Sequence, residues 1–196
     1  MALTPAIFLD KDGTVLRDVP YNVDPERMMF APGAREGIGV LGTLGLPLIV
    51  ITNQPGIALG RFDMPAFIAM QGHLARMFDG AGGRLSGVYF CPHYPQGSHE
   101  PYARTCACRK PAPGLLLRAA REHHIDLAQS WMVGDILDDV EAGRRAGCRS
   151  VLIDNGNENQ WYVNAWRRPD RIEPDLHRAA LFLAQCLCEP EARRHA

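Results

Sequence analysis

Two carboxylates stand close together near the start of the chain. Asp10 and Asp12 follow directly after a short apolar run at residues 6–9, which is typical of a buried strand. Proteins hold the hard cation Mg²⁺ with one or two carboxylates and the phosphate oxygens of a substrate. One carboxylate can also attack an electrophile while its neighbour transfers a proton. The pair therefore indicates metal-assisted or covalent chemistry, although Asp-Lys-Asp-Gly also fits an ordinary turn.

Three further polar signals follow later apolar runs. Thr52 ends the second run, and Asp135 follows the fourth, where it could complete a metal site with Asp10. Lys110 lies between a cysteine pair and two prolines, immediately before a predicted helix, where its cation could meet a phosphoryl oxygen. Asp139 could hold a neighbouring group in place, although acidic residues are also favoured at a helix N-terminus for electrostatic reasons alone.

A cysteine-rich loop precedes Lys110. Its two tight pairs are Cys91 with His93 and Cys106 with Cys108, and they frame the twelve residues 94–105. Three thiolates and one imidazole are sufficient for a tetrahedral structural zinc ion, which would leave no open position for catalysis. The alternatives are unligated thiols paired by chance, or His99 as a substitute ligand, although His99 has no paired partner.

Strand-like and helix-like segments alternate along most of the chain. This alternation predicts an α/β fold with a doubly wound parallel sheet and helices on both faces. Ligands of such sheets bind at the carboxyl ends of the strands, where Asp10, Thr52 and Asp135 would meet. The loop at residues 17–30 leaves the same edge and could lie over a ligand. The predicted strands are residues 6–9, 46–52, 86–90, 131–134 and 149–154, and the predicted helices are residues 31–45, 63–80, 113–124, 138–146 and 175–187.

Composition narrows the class of protein. A chain of 196 residues with 46% hydrophobic residues predicts one globular domain over residues 1–196. Its net charge of −1 and lack of long like-charge runs predict no nucleic acid or membrane partner. We see no signal peptide and no apolar run long enough to span a bilayer, so we expect a cytoplasmic protein. Its six cysteines are then expected to be thiols or metal ligands rather than disulfides.

These residues together resemble the four motifs of the haloacid dehalogenase superfamily of phosphotransferases. The motifs are Asp10-x-Asp12-Gly-Thr, Thr52, Lys110 and Gly134-Asp135-x-x-x-Asp139, in matching order over about residues 6–150. The resemblance implies that Asp10 is the nucleophile and that Asp12 is the general acid and then the base. It implies that Thr52 and Lys110 stabilise the phosphoryl group. It also implies that Asp10, the carbonyl of Asp12 and Asp135 bind Mg²⁺.

The cysteine loop is similar to that of the D-glycero-D-manno-heptose 1,7-bisphosphate 7-phosphatases. The similar stretches are Cys-Pro-His-Tyr-Pro-Gln-Gly, Cys-x-Cys-Arg-Lys-Pro and residues 52–58. This resemblance implies Mg²⁺ and Zn²⁺ as cofactors, a small phosphorylated sugar as substrate, no large cap domain, a zinc loop at residues 91–108 and a monomer. The substrate contacts that it implies are the loop from Asp18 to Tyr21, then Thr52, Asn53, Gln54, Arg109 and Lys110.

Two other functions remain open at this point. One is a histidinol-phosphate phosphatase or another phosphatase of a small sugar phosphate. Relatives of histidinol-phosphate phosphatase share the zinc pairs but tend to have a shorter loop between them, so the twelve residues here favour the sugar bisphosphate. A non-catalytic, zinc-stabilised interaction module is a different class, and the intact Asp10, Asp12, Lys110 and Asp135 argue against it. The chain departs from the heptose family at Ile136, where Lys is frequent, which bears on local charge and substrate preference.

Overall fold

A six-stranded parallel sheet forms the centre of the computed structural model, which describes residues 3–188. In spatial order the strands run β3-β2-β1-β4-β5-β6, and every neighbouring pair is parallel. Because β1 lies between β2 and β4, the direction in which the sheet grows reverses beside β1. The strands are β1 (Ile7–Leu9), β2 (Leu48–Asn53), β3 (Leu85–Cys91), β4 (Trp131–Gly134), β5 (Arg149–Ile153) and β6 (Arg171–Glu173).

Helices cover both faces of this sheet. The alternation of side chains along β1 decides which helices each residue meets, since successive residues point to opposite faces. Ile7 and Leu9 belong to the core shared with α1, α2 and α5, whereas Phe8 belongs to the core shared with α3. The helices are α1 (Ala34–Gly42), α2 (Met64–Gly80), α3 (Gly114–His123), α4 (Leu137–Ala146) and α5 (Leu176–Cys188), with 3-10 turns at Pro25–Arg27 and Leu127–Gln129.

The predicted doubly wound sheet is confirmed, and the predicted segments fall close to the observed elements. The carboxylate of Asp63 caps α2 by accepting the N–H of Ala66 at 2.9 Å, at the start of the helix predicted for residues 63–80. Strand β6 was not predicted because it has only three residues, two of them charged. Within residues 3–188 no helix is both long and apolar enough to cross a membrane.

Candidate active site

Carboxylates converge where the growth of the sheet reverses. Asp10 follows β1 and Asp135 follows the adjacent β4, and the N–H of Asp10 donates to the carbonyl of Val133 at 2.9 Å. Asp139, in the first turn of α4, lies at the same point. Oxygen atoms of Asp10, Asp135 and Asp139 lie within 4.8 Å of one another, and all three residues are buried. Carboxylates this close are stabilised by a cation among them or by a proton on one of them.

Lys110 supplies a protein cation at this point. Its buried ammonium contacts a carboxylate oxygen of Asp10, lies 2.5 Å from Oδ1 of Asp139 and donates to the carbonyl of Ile51 at 3.0 Å. Burial disfavours the ammonium, but the two carboxylates outweigh burial and raise the pKa of Lys110 above its ordinary value. Lys110 is therefore charged at neutral pH and is aimed at the carboxylate of Asp10.

The main chain of Lys110 is held by β2. The side-chain amide of Asn53 donates to the carbonyl of Lys110 at 3.1 Å and accepts its N–H at 3.0 Å. This reciprocal pair fixes the position of the residue from which the ammonium extends. The predicted contact of Asn53 with substrate stays a prediction, and its observed role is to join β2 to the Lys110 turn.

Asp12 is held by donors on both carboxylate oxygens. Lys11, itself buried, lies 2.7 Å from Oδ1, and Nε2 of Gln54 donates to Oδ2 at 3.0 Å. The same Nε2 lies 2.9 Å from Oγ1 of Thr52, so Gln54 bridges the two predicted catalytic side chains. Because Thr52 accepts from Gln54, its own hydroxyl proton is free to point toward a ligand.

A tight turn brings Asp135 against the end of β1. Gly13 has a φ of 89°, and a Cβ built there would lie 2.0 Å from Oδ2 of Asp135, so no larger residue fits. Thr14 donates its hydroxyl to Oδ1 of Asp135 at 3.2 Å, and Asn157 donates its amide to Oδ2 at 2.7 Å. The carboxylate of Asp135 is therefore oriented by two neutral donors, whereas the carboxylate of Asp139 forms an ion pair with Lys110.

The donor set fits a divalent cation. Asp10 and Asp135 offer carboxylate oxygens at one point, and oxygen ligands of this kind suit Mg²⁺. Asp10, the carbonyl of Asp12 and Asp135 would hold the ion, which would neutralise charge on a bound phosphoryl group.

Burial shapes the acidity of these carboxyl groups. It raises the pKa of Asp10 to about 7, with Asp139 and Asp12 adding to the effect and Lys110 opposing it. Burial likewise raises the pKa of Asp135 to about 6, where Asp10 adds and the amide of Asn157 opposes. It also raises the pKa of Asp139 to about 6, against the effect of Lys110. A bound cation would favour the ionised forms of Asp10 and Asp135.

These shifts predict an unusual pH dependence of stability without added Mg²⁺. Carboxyl groups with raised pKa values bind more protons in the folded than in the unfolded chain, so stability should fall as pH rises from about 4 to about 7. Cation binding needs the ionised groups, so added Mg²⁺ should raise Tm more at about pH 7.5 than at about pH 5. Calorimetry at both pH values, with and without Mg²⁺, measures this difference. An equal gain in Tm at both pH values would contradict the assignment. So would an Asp135→Asn control whose stability falls as steeply with pH as that of the native protein.

The cysteine loop closes around one point. The Sγ atoms of Cys91, Cys106 and Cys108 lie 3.2–3.4 Å apart, and Nδ1 of His93 lies 3.3 Å from Sγ of Cys108 and 3.6 Å from that of Cys91. Three sulfurs and one nitrogen in this arrangement fit a zinc ion held by protein alone. His99 is not part of the cluster. Because Cys108 stands two residues before Lys110, the cluster can fix where the Lys110 turn begins.

We expect a Cys106→Ser variant to lose zinc and stability. One zinc per chain should be found in the purified protein by metal analysis, and the variant should retain little of it, because three remaining ligands hold the ion weakly. Its KM should rise more than its kcat falls, since the ion is structural. Cys186→Ser on α5, outside the cluster, is the matched control. A metal-free native protein, or a variant with native Tm and KM, would show that the cluster holds no structural zinc ion.

The loop at residues 17–30 carries the predicted substrate residues Asp18 and Tyr21. Asp18 is exposed, yet partial burial raises the pKa of its carboxyl, and the nearby charge of Asp12 adds to this. The exposed ring of Tyr21 lies 5.8 Å from the guanidinium of Arg61. A contact of Asp18 or Tyr21 with substrate stays a prediction.

Arg109 lies beside the cysteine cluster. Its guanidinium is 5.2 Å from the ring of Tyr94, which holds it by a cation–π contact. Its Nη1 is buried and finds no hydrogen-bond partner among residues 3–188. An unpaired cationic nitrogen one residue before Lys110 is suited to an anionic group of a ligand.

Several residues of the site were missed from the sequence. The sequence gives Lys11 no role beyond the turn of Asp-Lys-Asp-Gly, and it predicts no role for Asn155 or Asn157. The spacing of Lys11 beside two aspartates was the one available signal. For the two asparagines no signal existed, since their contacts depend on how the loop after β5 folds back.

The fold and the site define a haloacid dehalogenase-like phosphatase. A family model described as "HAD-hyrolase-like" matches residues 107–179. A solved D,D-heptose 1,7-bisphosphate phosphatase from B. bronchiseptica, complexed with magnesium and phosphate, superposes with a TM-score of 0.79 at 32% identity, covering 93% of this chain and 99% of that one.

Similar curated proteins narrow the family. The D-glycero-beta-D-manno-heptose-1,7-bisphosphate 7-phosphatase of Yersinia pestis is 41% identical over 153 residues, which are 78% of this chain and 81% of that protein. The enzyme of the same name from Escherichia coli K12 is 39% identical over 170 residues, 82% of this chain and 89% of that protein. The chain belongs to the D-glycero-beta-D-manno-heptose-1,7-bisphosphate 7-phosphatase family.

Proposed function

We propose that the chain hydrolyses the 7-phosphate of D-glycero-D-manno-heptose 1,7-bisphosphate, in the biosynthesis of heptose precursors of lipopolysaccharide or a related glycan. The identity of the substrate rests on the match to relatives of that name over four fifths or more of their length. The chemistry is supported by the meeting of Asp10, Asp12 and Lys110 at the point where the sheet reverses. That point is where open parallel sheets bind their ligands.

The first chemical step transfers the phosphoryl group to the enzyme. A carboxylate oxygen of Asp10 attacks phosphorus, and the bond between phosphorus and the C7 oxygen of the sugar breaks. Asp12 donates a proton to that leaving oxygen, so the sugar departs as an alcohol. The contact of Lys110 with Asp10 supports this role, because it fixes the attacking carboxylate and opposes the rise in its pKa that burial causes.

The second step releases phosphate. Asp12, now ionised, takes a proton from a water molecule that attacks the phosphorus of the aspartyl-phosphate, and the bond to Asp10 breaks. Thr52 donates a hydrogen bond from its hydroxyl to a phosphoryl oxygen, and Lys110 supplies positive charge to the same group. The donors that Lys11 and Gln54 offer to Asp12 support its role, since they hold the carboxylate in one orientation during both transfers.

The organisation of the whole chain follows from the same reasoning. One phosphatase domain over residues 1–196, with the zinc loop at 91–108 placed before Lys110, is supported by the single sheet of the described residues. A monomeric protein that acts in the cytoplasm on a small phosphorylated sugar remains part of the proposal. Gel filtration with light scattering tests the monomer.

A substrate panel tests the function. We expect kcat/KM to be highest for the heptose 1,7-bisphosphate and far lower for fructose 1,6-bisphosphate and histidinol phosphate, each assayed with Mg²⁺. Phosphorus NMR of the product should show that the 1-phosphate is retained. If histidinol phosphate is the best substrate, or if the 1-phosphate is lost, the assignment is wrong, and activity on none of the three favours a non-catalytic role.

Arg109 is expected to bind the phosphate that does not react. Its buried, unpaired Nη1 and its place before Lys110 suit a second anionic group, which Arg can grip with two parallel hydrogen bonds. An Arg109→Ala variant should lose ~10²-fold in kcat/KM on the heptose bisphosphate, the order expected for ~3 kcal/mol of charge-assisted contact. Steady-state kinetics on the heptose bisphosphate and on a small monophosphate measures the loss.

A small monophosphate provides the internal control for this variant. It lacks the second phosphate, so its kcat/KM should fall much less than that of the bisphosphate. Equal losses on the two substrates would mean that Arg109 serves the reacting phosphoryl group or the shape of the loop instead.

A further inference from the structure

The loop that follows β5 reaches back into the candidate active site. Asn155 donates Nδ2 to the carbonyl of Gly13 at 2.8 Å, and Asn157 donates Nδ2 to Oδ2 of Asp135 at 2.7 Å. The two asparagines are also joined to each other, because Oδ1 of Asn155 accepts the N–H of Asn157 at 3.1 Å. One loop therefore donates hydrogen bonds both to the turn after β1 and to the carboxylate of Asp135 after β4.

A third side chain of this loop holds the start of α4. Glu158 accepts the N–H of Leu137 through Oε2 at 2.6 Å and accepts the N–H of Gln160 through Oε1 at 2.6 Å. Leu137 is the first residue of α4, the helix that carries Asp139. The contact fixes the loop to the start of α4, two residues after Asp135, and so helps to set the position of the Asn157 amide.

The contact with Asp135 is short and lies in a confined space. Asp135 is buried, whereas Asn157 is exposed on its outer side. A Cβ at Gly13 would lie 2.6 Å from Nδ2 of Asn157, so the turn, the carboxylate and the amide are in close contact. A neutral amide stabilises the ionised carboxylate without adding a positive charge that would repel a cation.

We propose that Asn157 is a positioning residue that orients the carboxylate of Asp135 for a divalent cation. The assignment rests on the proposed Mg²⁺-dependent function. Asn157 acts through Asp135 and touches neither substrate nor reacting atoms. Hydrogen-bond partners of metal ligands fix the orientation of the ligand, and their loss costs about 10- to 100-fold in metal affinity.

Direct cation binding in the absence of substrate tests this role. Mn²⁺, which accepts the same oxygen ligands as Mg²⁺, is titrated into the purified protein and followed by electron paramagnetic resonance. We expect Asn157→Ala to raise the Kd for Mn²⁺ by about tenfold or more. The matched control is Asn159→Ala, since Asn159 is exposed in the same loop. The Mg²⁺ concentration that gives half-maximal activity should rise in parallel, and most of the loss should disappear at saturating Mg²⁺.

The outcomes separate this proposal from the function on which it rests. If the native protein binds no Mn²⁺, the proposed cation site itself fails. If the native protein binds and Asn157→Ala binds as tightly, or Asn159→Ala weakens binding equally, Asn157 does not position Asp135. Circular dichroism and Tm check that each variant is folded, and Asn157→Ser, which keeps a shorter donor, should fall between the native protein and the alanine variant. A serine variant weaker than the alanine variant would also overturn the proposal.

Discussion

An Asp10→Asn variant is expected to lose turnover by about 10⁵-fold or more while keeping its fold. A neutral amide cannot attack phosphorus, so no enzyme-bound phosphoryl group forms. The folded state should not suffer, because the substitution removes a buried carboxyl whose pKa is raised to about 7. Lys110 would keep Asp139 as its partner. The loss should therefore appear in kcat and not in Tm.

The measurement is single-turnover phosphate release with a large excess of enzyme, together with Tm. Asp79→Asn, an exposed aspartate at the end of α2, is prepared in the same way as a control for handling. Activity of Asp10→Asn above about one thousandth of the native rate, in protein free of native contaminant, would remove Asp10 from the role of nucleophile.

A Lys110→Met variant should lose both rate and stability, for separate reasons. The rate should fall about 10³-fold because one cation near the phosphoryl group is gone. Stability should fall by about 3–5 kcal/mol, because Asp10 and Asp139 would be buried without their partner. Denaturant unfolding and steady-state kinetics measure the two effects.

A double variant separates these two losses. Combining Lys110→Met with Asp139→Asn removes one of the stranded charges, so stability should return in part while the rate stays low. The single Asp139→Asn variant serves as the reference for the cycle. If rate and stability recover together, Lys110 contributes to turnover only by keeping the site folded.

The elements that carry chemistry were largely predictable from the sequence. Asp10, Thr52 and Asp135 each follow an apolar run, and parallel strands bring their carboxyl ends to one edge. The clustering of Cys91, His93, Cys106 and Cys108 was predictable from their spacing, since a close pair at each end of one loop can surround a single ion. The suggestion that Asp139 holds a neighbour agrees with its ion pair to Lys110.

Contacts made by irregular segments were not predictable. Asn157 meets Asp135 across 22 residues through a loop with no periodic pattern. Strand β6 lies at the sheet edge and is only three residues long, so its pairing with β5 depends on tertiary contacts rather than on composition. The reciprocal hydrogen bonds of Asn53 with Lys110 depend on how the cysteine loop returns to β2.

The sequences of the strand ends and of the loops above them can diverge at different rates during evolution. Five neighbouring strands each deliver a piece of the site at one edge, and their spacing is set by main-chain hydrogen bonds, which most side-chain changes leave in place. The outer loop beyond Glu158 instead exposes large side chains, including Tyr162 at 74%. Descendants of such a protein could therefore change the outer loop beyond Glu158 while the strand ends, and the phosphoryl chemistry that they position, stay the same.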